Sequence, residues 1–521
     1  MPNIQTHTFP NGFRVIYEEP KYPTEITHVD VFCRAGSAFE PESLRGVSHF
    51  IEHMCFKGTK RRPTTRDIFE VYENIGAYFN AYTEKQFTCY VASFVNTHMK
   101  QCICTLGDMM LRSKFDKSEY KKELNVVIEE NLRNLTDYSH IAQDINESLI
   151  YKGSSYAYPI DSMKYHKIVD SWDYKDVIEF YHKYYVPENI MLSVVSSAPF
   201  STILKILKSC EFVKYDSRKT HNPLPIMNIQ PNMALIPQHA TRIELMPIPD
   251  IKTAYIAFGF RTCSRFSEDQ YPLELLRILM GGKFTSRLTM LLREKNGLTY
   301  SSSVSATYYE HSGDMTIFSI TDSQNIMHNR QHKNTAKTST NKTTAKHHLT
   351  HIMKHLRKTA KKTKTKTKTG GARTQGLRSS VGVRGLSGYG LPSKDNKPKN
   401  TKRDKRGVLP IIVDMLHDLI HHGITDTELK ESKMYMDGII KMNISKGTKQ
   451  VEYNGMEWFL GNTEKITSYT DLYKTKYEPI AKTEINNIIR KYFTPENMNI
   501  VLVGGQLPDK IQVEKVSSSI F

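Results

Sequence analysis

No stretch of the sequence approaches the roughly 18 consecutive apolar residues that a membrane-spanning helix needs. The opening Met1-Pro-Asn-Ile-Gln-Thr-His-Thr-Phe9 has neither the apolar core of a secretory signal nor the Arg-rich amphipathic face of a mitochondrial one. These absences lead us to expect a soluble, intracellular chain without a membrane span, cytoplasmic rather than mitochondrial. There is no C-x-x-C pair, and the seven cysteines (33, 55, 89, 102, 104, 210 and 263) are odd in number. That pattern argues for a reducing compartment and against a disulfide framework or a Cys-ligated metal.

Acidic residues are almost missing from one segment. Ser323 to Arg406 holds 23 Lys plus Arg and only two Asp. Its net charge of +21 against +18 for the whole chain leaves −3 for the remainder, so the basic pI of 9.3 belongs to this segment alone. With few large apolar residues it cannot offset its ordering entropy by burial, and disorder is expected. Such a charge suits weak, sequence-independent binding of a polyanion, although a solvated extension without a partner is the simpler expectation.

What remains is long enough for two domains with cores of their own. Lys183-Tyr-Tyr-Val-Pro187-Glu188-Asn189 followed by Ile-Met-Leu-Ser-Val-Val recurs as Lys491-Tyr-Phe-Thr-Pro495-Glu496-Asn497 followed by Met-Asn-Ile-Val-Leu-Val. Each copy reads as a helix end, a Pro-fixed turn and an apolar strand, so the echo points to duplicated domains. The copies lie 308 residues apart, and removing the 84 residues of the basic segment leaves 224, a sensible domain length. The expected organisation is therefore a first domain over 1–220, a Pro-rich linker over 221–237, and a second domain over 238–521 interrupted by the insert 323–406. Helices are expected over Asp67–Asn74, Met99–Arg112, Ser118–Leu135 and Trp172–Tyr185, and strand character through Phe79–Val95 and Ile190–Ser196.

Within the first domain, His49-Phe50-Ile51-Glu52-His53 places two imidazoles and a carboxylate on one helical face, since positions 49, 52 and 53 fall within about a quarter-turn of arc. Two neutral imidazoles suit Zn²⁺, and a carboxylate beside them suits a general base, so Glu52 is the candidate base. A catalytic zinc needs a third protein ligand. The helical run from Glu123 to Leu132 offers Glu123 and Glu130, which are about 20° from alignment, while Glu129 points about 100° from Glu130. Periodicity alone does not choose between Glu123 and Glu130.

Gly46-Val-Ser-His49-Phe-Ile-Glu52-His53-Met-Cys-Phe56-Lys57-Gly58-Thr59, with Glu130 following 77 residues after His53, resembles the zinc site of the pitrilysin and insulysin family, above all its processing-peptidase-like members. Asn80-Ala81-Tyr82-Thr83 and the segment Leu292-Arg293-Glu294-Lys295-Asn-Gly297-Leu298-Thr-Tyr300 are similar to further family elements. The resemblance implies an α+β fold of two duplicated domains, each a mixed, mostly antiparallel sheet packed with helices, together forming half of a clamshell. It implies one Zn²⁺ per chain on His49, His53 and Glu130, with Glu123 supporting the ligands from behind. It further implies an unfolded peptide substrate held along Asn80 and Ala81, and met by Arg293 and Tyr300 from the opposite wall. That wall would belong to a second copy or to a related chain, so a homodimer or heterodimer is expected. Two other readings follow from the same features: a catalytically silent processing-peptidase-like subunit, or a scaffold whose basic insert binds nucleic acid.

Overall fold

The computed structural model describes residues 4–161, 166–216, 232–328, 405–461 and 466–521. Most of the expected insert and most of the expected linker therefore lie outside the described residues. Six strands, β1 (Ile4–Thr8), β2 (Arg14–Glu18), β3 (Ile26–Cys33), β4 (Tyr78–Thr83), β5 (Thr88–Val95) and β6 (Ile190–Val195), form one sheet in the order β1-β2-β6-β3-β5-β4. Five more, β7 (Arg242–Pro247), β8 (Thr253–Thr262), β9 (Thr299–Tyr308), β10 (Gly313–Asp322) and β11 (Met498–Gly504), form a second in the order β7-β11-β8-β10-β9.

Setting β2 to β6 against β7 to β11 makes the two orders identical. The directions agree as well: β2 with β6 and β7 with β11 run parallel, and the other paired neighbours run antiparallel. The repeated Pro-Glu-Asn turn leads into β6 in one sheet and β11 in the other. The fold is thus α+β with a duplicated sheet topology. The strand character through 79–95 resolves into a hairpin, because the chain reverses at Glu84–Phe87, where the Glu84 amide donates to the Phe87 carbonyl (2.7 Å).

In the first half the helices are α1 (Val47–Cys55), α2 (Thr65–Glu73), α3 (Met99–Leu111), α4 (Lys117–Arg133) and α5 (Tyr138–Ile150), followed by Tyr174–Tyr184. On β3, Val29, Val31 and Cys33 point to the core that α1 and α3 cover, while Phe32 points to the other face. That other face is closed by the helix Thr448–Gly461, which belongs to the second half and brings Phe459 and Leu460 against Phe32 and Met191. The exchange is reciprocal. Helix α5 leaves the first half and lays Ala142, Ile145 and Leu149 against Ala257, Val501 and Val503 of the second sheet. Contact is close on both sides: a Cβ at Gly455 would lie 2.2 Å from Phe32, and one at Gly259 would lie 2.4 Å from Asn146. Polar links cross the same boundary, with Asn454 Nδ2 donating to the buried Glu18 (2.6 Å), Ser193 Oγ to the Val451 carbonyl (2.7 Å) and Tyr151 Oη to Asp314 (2.7 Å).

Two expectations need correction. Cys104 on α3 and Cys210, 106 residues later, form a disulfide, because α3 packs against the short helices Phe200–Leu207 and Glu211–Lys214. Sequence spacing does not show so distant a pair, and the bond removes the argument from cysteine usage for a reducing compartment. The insert is also shorter than expected at its near end: Ile326 is buried in the second core and its carbonyl accepts from the Leu409 amide (2.9 Å). His328 and Arg406 are bridged as an antiparallel pair, so the chain leaves and returns at one place. Among the described residues no helix is long and apolar enough to cross a membrane.

Where the halves meet, burial pushes the carboxyls of Asp314 and Asp144 up to about 7, with the nearby charge of Glu147 adding to the effect. A raised folded-state value means that the native protein holds protons the unfolded chain has released. The stability this adds is complete below the ordinary value of 3.8 and is lost as pH rises through about 7. The midpoint of thermal unfolding is therefore expected to fall between about pH 5 and pH 7 and to level off above that, with a shallower fall in Asp314→Asn; calorimetry across that range checks it, and an unchanged slope in the variant refutes the assignment. A second expectation concerns the bridged ends. Replacing 329–404 with a short glycine linker should leave the melting profile nearly unchanged, because the two ends already stand together; a midpoint lowered by many degrees would overturn this.

Candidate metal centre

Helix α1 is buried along Val47, Phe50, Ile51, Met54 and Cys55, which leaves His49, Glu52 and His53 on the face turned toward α4 and β4. Its start is held by a carboxylate rather than by a side chain at the helix terminus itself. Gly46 sits at φ 91°, a left-handed conformation suited to glycine, and the buried Glu40 accepts from the amides of Gly46 (2.7 Å) and Ser48 (2.8 Å). Burial raises the Glu40 carboxyl, and those two amides and Arg45 oppose the rise. Flanking that face, Phe50 meets Tyr120 of α4 edge-on, with ring centroids 4.9 Å apart, which sets α4 beside the histidines.

This packing brings three donor atoms together. His49 Nε2 and His53 Nε2 are 3.2 Å apart, and Glu130 Oε2 lies 4.0 Å from the first and 3.7 Å from the second. The point equidistant from all three is roughly 2.1 Å from each, which matches zinc–nitrogen and zinc–oxygen bond lengths. Glu130 Oε2 is buried and has no hydrogen-bond partner, a costly state for a carboxylate oxygen unless a cation meets it. The donor set fits a divalent ion such as zinc, and among the described residues it is the group of three or more such side chains able to hold one.

Glu123 lies on the same helix but takes a different place. Its Oε1 accepts from His53 Nδ1 (2.8 Å), which leaves the Nε2 lone pair of His53 turned toward the ion position, and its Oε2 accepts from Lys57 Nζ (2.6 Å). Burial alone would raise the Glu123 carboxyl; the hydrogen bonds from His53 and Lys57 outweigh it and hold it below its usual range. For His53 burial alone would lower the imidazole, but Glu123, Glu52 and Glu130 hold it above its ordinary value. Burial, with the neighbouring His53, lowers His49.

The sequence alone assigns no role to three further groups at the site, although Thr83 and Lys57 stand in stretches that resemble the family. Thr83, at the end of β4, donates to Glu52 Oε2 (2.7 Å) and fixes that carboxylate. Lys57 is the counter-charge of Glu123. Asp161 is held near 2, since His140 and His49 outweigh its burial, and it accepts from Asn134 Nδ2 (2.8 Å). Asn80 and Ala81 lie on β4, the edge of the first sheet, where Asn80 Oδ1 accepts from the Ala81 amide (2.9 Å). Arg293 and Tyr300 are not brought to the metal-ligand group. Arg293 is exposed in the turn Met290–Lys295, near the Phe284 ring and Glu294, and Tyr300 is 67% exposed on β9, the edge of the second sheet.

Fold and donor set together define a metallopeptidase-like architecture. Residues 14–161 match the profile of insulinase, peptidase family M16, and residues 171–356 match the peptidase M16 inactive domain. The chain belongs to the M16 peptidase family. The uncharacterized zinc protease YmxG of Bacillus subtilis is 30% identical over 323 residues, which is 62% of this chain and 75% of the relative. The β subunit of mitochondrial-processing peptidase from Caenorhabditis elegans is 28% identical over 282 residues, 54% of this chain and 58% of its own length. Among solved structures, a protease from Helicobacter pylori superposes with a TM-score of 0.71 at 18% identity, over 97% of this chain and 100% of that one. A peptidase M16 inactive domain from Pseudomonas fluorescens gives 0.70 at 15% identity, over 98% and 99%. These two likenesses concern the fold.

The Lys57–Glu123–His53 chain generates a direct expectation. Lys57→Met should weaken zinc affinity about 10- to 100-fold, and Lys57→Arg should recover most of it. Competition against a chromophoric chelator measures both, and wild-type affinity in Lys57→Met would show that the ammonium has no part in orienting His53.

Proposed function

We propose that the chain is a zinc-dependent metalloendopeptidase that cleaves unfolded peptides, including presequence-like segments, with one Zn²⁺ held by His49, His53 and Glu130. The observation that carries this reading is the triangle of two imidazole nitrogens and an orphaned carboxylate oxygen, with a separate carboxylate, Glu52, one turn away on the same face. The names of the relatives support it.

A zinc ion in that position supplies Lewis acidity toward a carbonyl oxygen and brings the ionisation of water near neutral pH. Glu52 takes the proton from the attacking water and passes it to the leaving amine; Thr83, bonded to one of its oxygens, keeps the carboxylate turned toward the substrate. The substrate adds as a strand at the free edge of β4. There the Ala81 amide is covered by the Asn80 side chain, so an incoming backbone carbonyl takes over a bond that already exists. Arg293 and Tyr300, exposed on the second half, serve the site of a second copy or of a related chain, which makes the working form a pair.

Replacing Glu52 with Gln is expected to lower turnover of a quenched fluorescent peptide by about 10²- to 10⁴-fold while bound zinc stays at the wild-type amount. Equal turnover in the two proteins at equal zinc content would dispose of this mechanism, and zinc-loaded protein with no turnover in either would favour a catalytically silent subunit.

A further inference from the structure

Away from the metal centre, the helix Val408–His422 carries two successive Asp-x-x-His units, Asp414-Met-Leu-His417 and Asp418-Leu-Ile-His421. Its apolar residues Ile411, Ile412, Met415, Leu416 and Leu419 are buried in the second core, so the four polar residues share the opposite, exposed side. There the rings of His417 and His421 touch, with centroids 4.2 Å apart and planes inclined by 43°. His49 and His53, at the same four-residue spacing, have centroids 4.6 Å apart. The surrounding groups are already engaged. Asp418 receives His422 Nδ1 (3.0 Å) and Arg287 Nη1 (2.8 Å), and Asp414 receives Arg406. No hydrogen bond or ion pair among the described residues occupies either imidazole of the touching pair.

We propose that His417 and His421 form a second, surface site for a divalent transition ion. Two neutral imidazoles one helical turn apart chelate a borderline ion without any change of backbone, which selects Cu²⁺, Ni²⁺ and Zn²⁺ over Mg²⁺ and Ca²⁺. Water completes the coordination, so the site is weaker than the three-ligand centre and fills after it. The ion closes a ring across the last two turns of a helix whose first turn adjoins the bridged ends of the insert, and it favours the folded helix over the unfolded chain.

The protein, saturated first with zinc, is titrated with Ni²⁺ against a chromophoric chelator. Wild type is expected to take up one more Ni²⁺ than His417→Ala/His421→Ala, each single variant to lose at least about tenfold in affinity for that ion, and Ni²⁺ to raise the thermal midpoint in wild type and not in the double variant. His422→Ala, whose imidazole is committed to Asp418, should titrate like wild type. Histidines of the insert are common to all five proteins and cancel in the comparison. The proposal is overturned if the double variant takes up Ni²⁺ as wild type does, or if His422→Ala loses as much as the double variant, which would mean diffuse binding to a histidine-rich surface. Peptide turnover plays no part in the readout, so failure here leaves the metalloendopeptidase reading intact.

Discussion

Everything at the metal centre depends on α1 being unable to turn. Five of its residues are locked into the core of the first half, and Phe50 sits between Tyr120 of α4 and Trp172, with ring centroids 4.9 and 5.5 Å away. A helix held this way presents His49, Glu52 and His53 in one direction only, and the same aromatic contact determines how far along α4 the carboxylates arrive. The site is thus preorganised by packing around it rather than by the bonds within it. Lys57, Glu123 and His53 then join the end of α1 to the middle of α4 in a single line of charge-assisted hydrogen bonds.

The second constraint is the exchange of helices between the halves. Each sheet has one face covered by its own helices and the other by a helix lent from its counterpart, so neither half closes its core alone. This explains why Phe32 on β3 is fully buried although it points away from Val29, Val31 and Cys33, and why the two halves form one compact unit. It also places buried carboxylates at the boundary, where hydrogen bonds such as that from Tyr151 to Asp314 take the place of water.

Much of this was legible in the sequence where the signal is local. The H-x-x-E-H spacing spans five residues and each copy of the Pro-Glu-Asn echo thirteen, and both have a physical counterpart in the structure. The third donor was not decided by pattern, because Glu123 and Glu130 share a helical face. Only the three-dimensional arrangement separates them, with Glu130 turned to the Nε2 atoms and Glu123 to Nδ1 on the far edge of His53. Thr83, Lys57 and Asp161 reach the site from three different parts of the chain; Thr83 and Lys57 stand in stretches that resemble the family, but their hydrogen bonds to Glu52 and Glu123 are visible only in the structure. Helices α5 and Thr448–Gly461 escaped the periodicity reading for a related reason: each is packed between its own half and the other, so its apolar residues do not form the single stripe that betrays a surface helix. The disulfide between Cys104 and Cys210 is equally invisible at a separation of 106 residues.

The antiparallel bridge between His328 and Arg406 gives this fold a hinge-free doorway. An excursion whose two feet already stand together costs only the logarithm of its length, about 0.6 kcal/mol for each doubling. The packed scaffold therefore meets a closing cost that rises only slowly with the number of residues between those two feet.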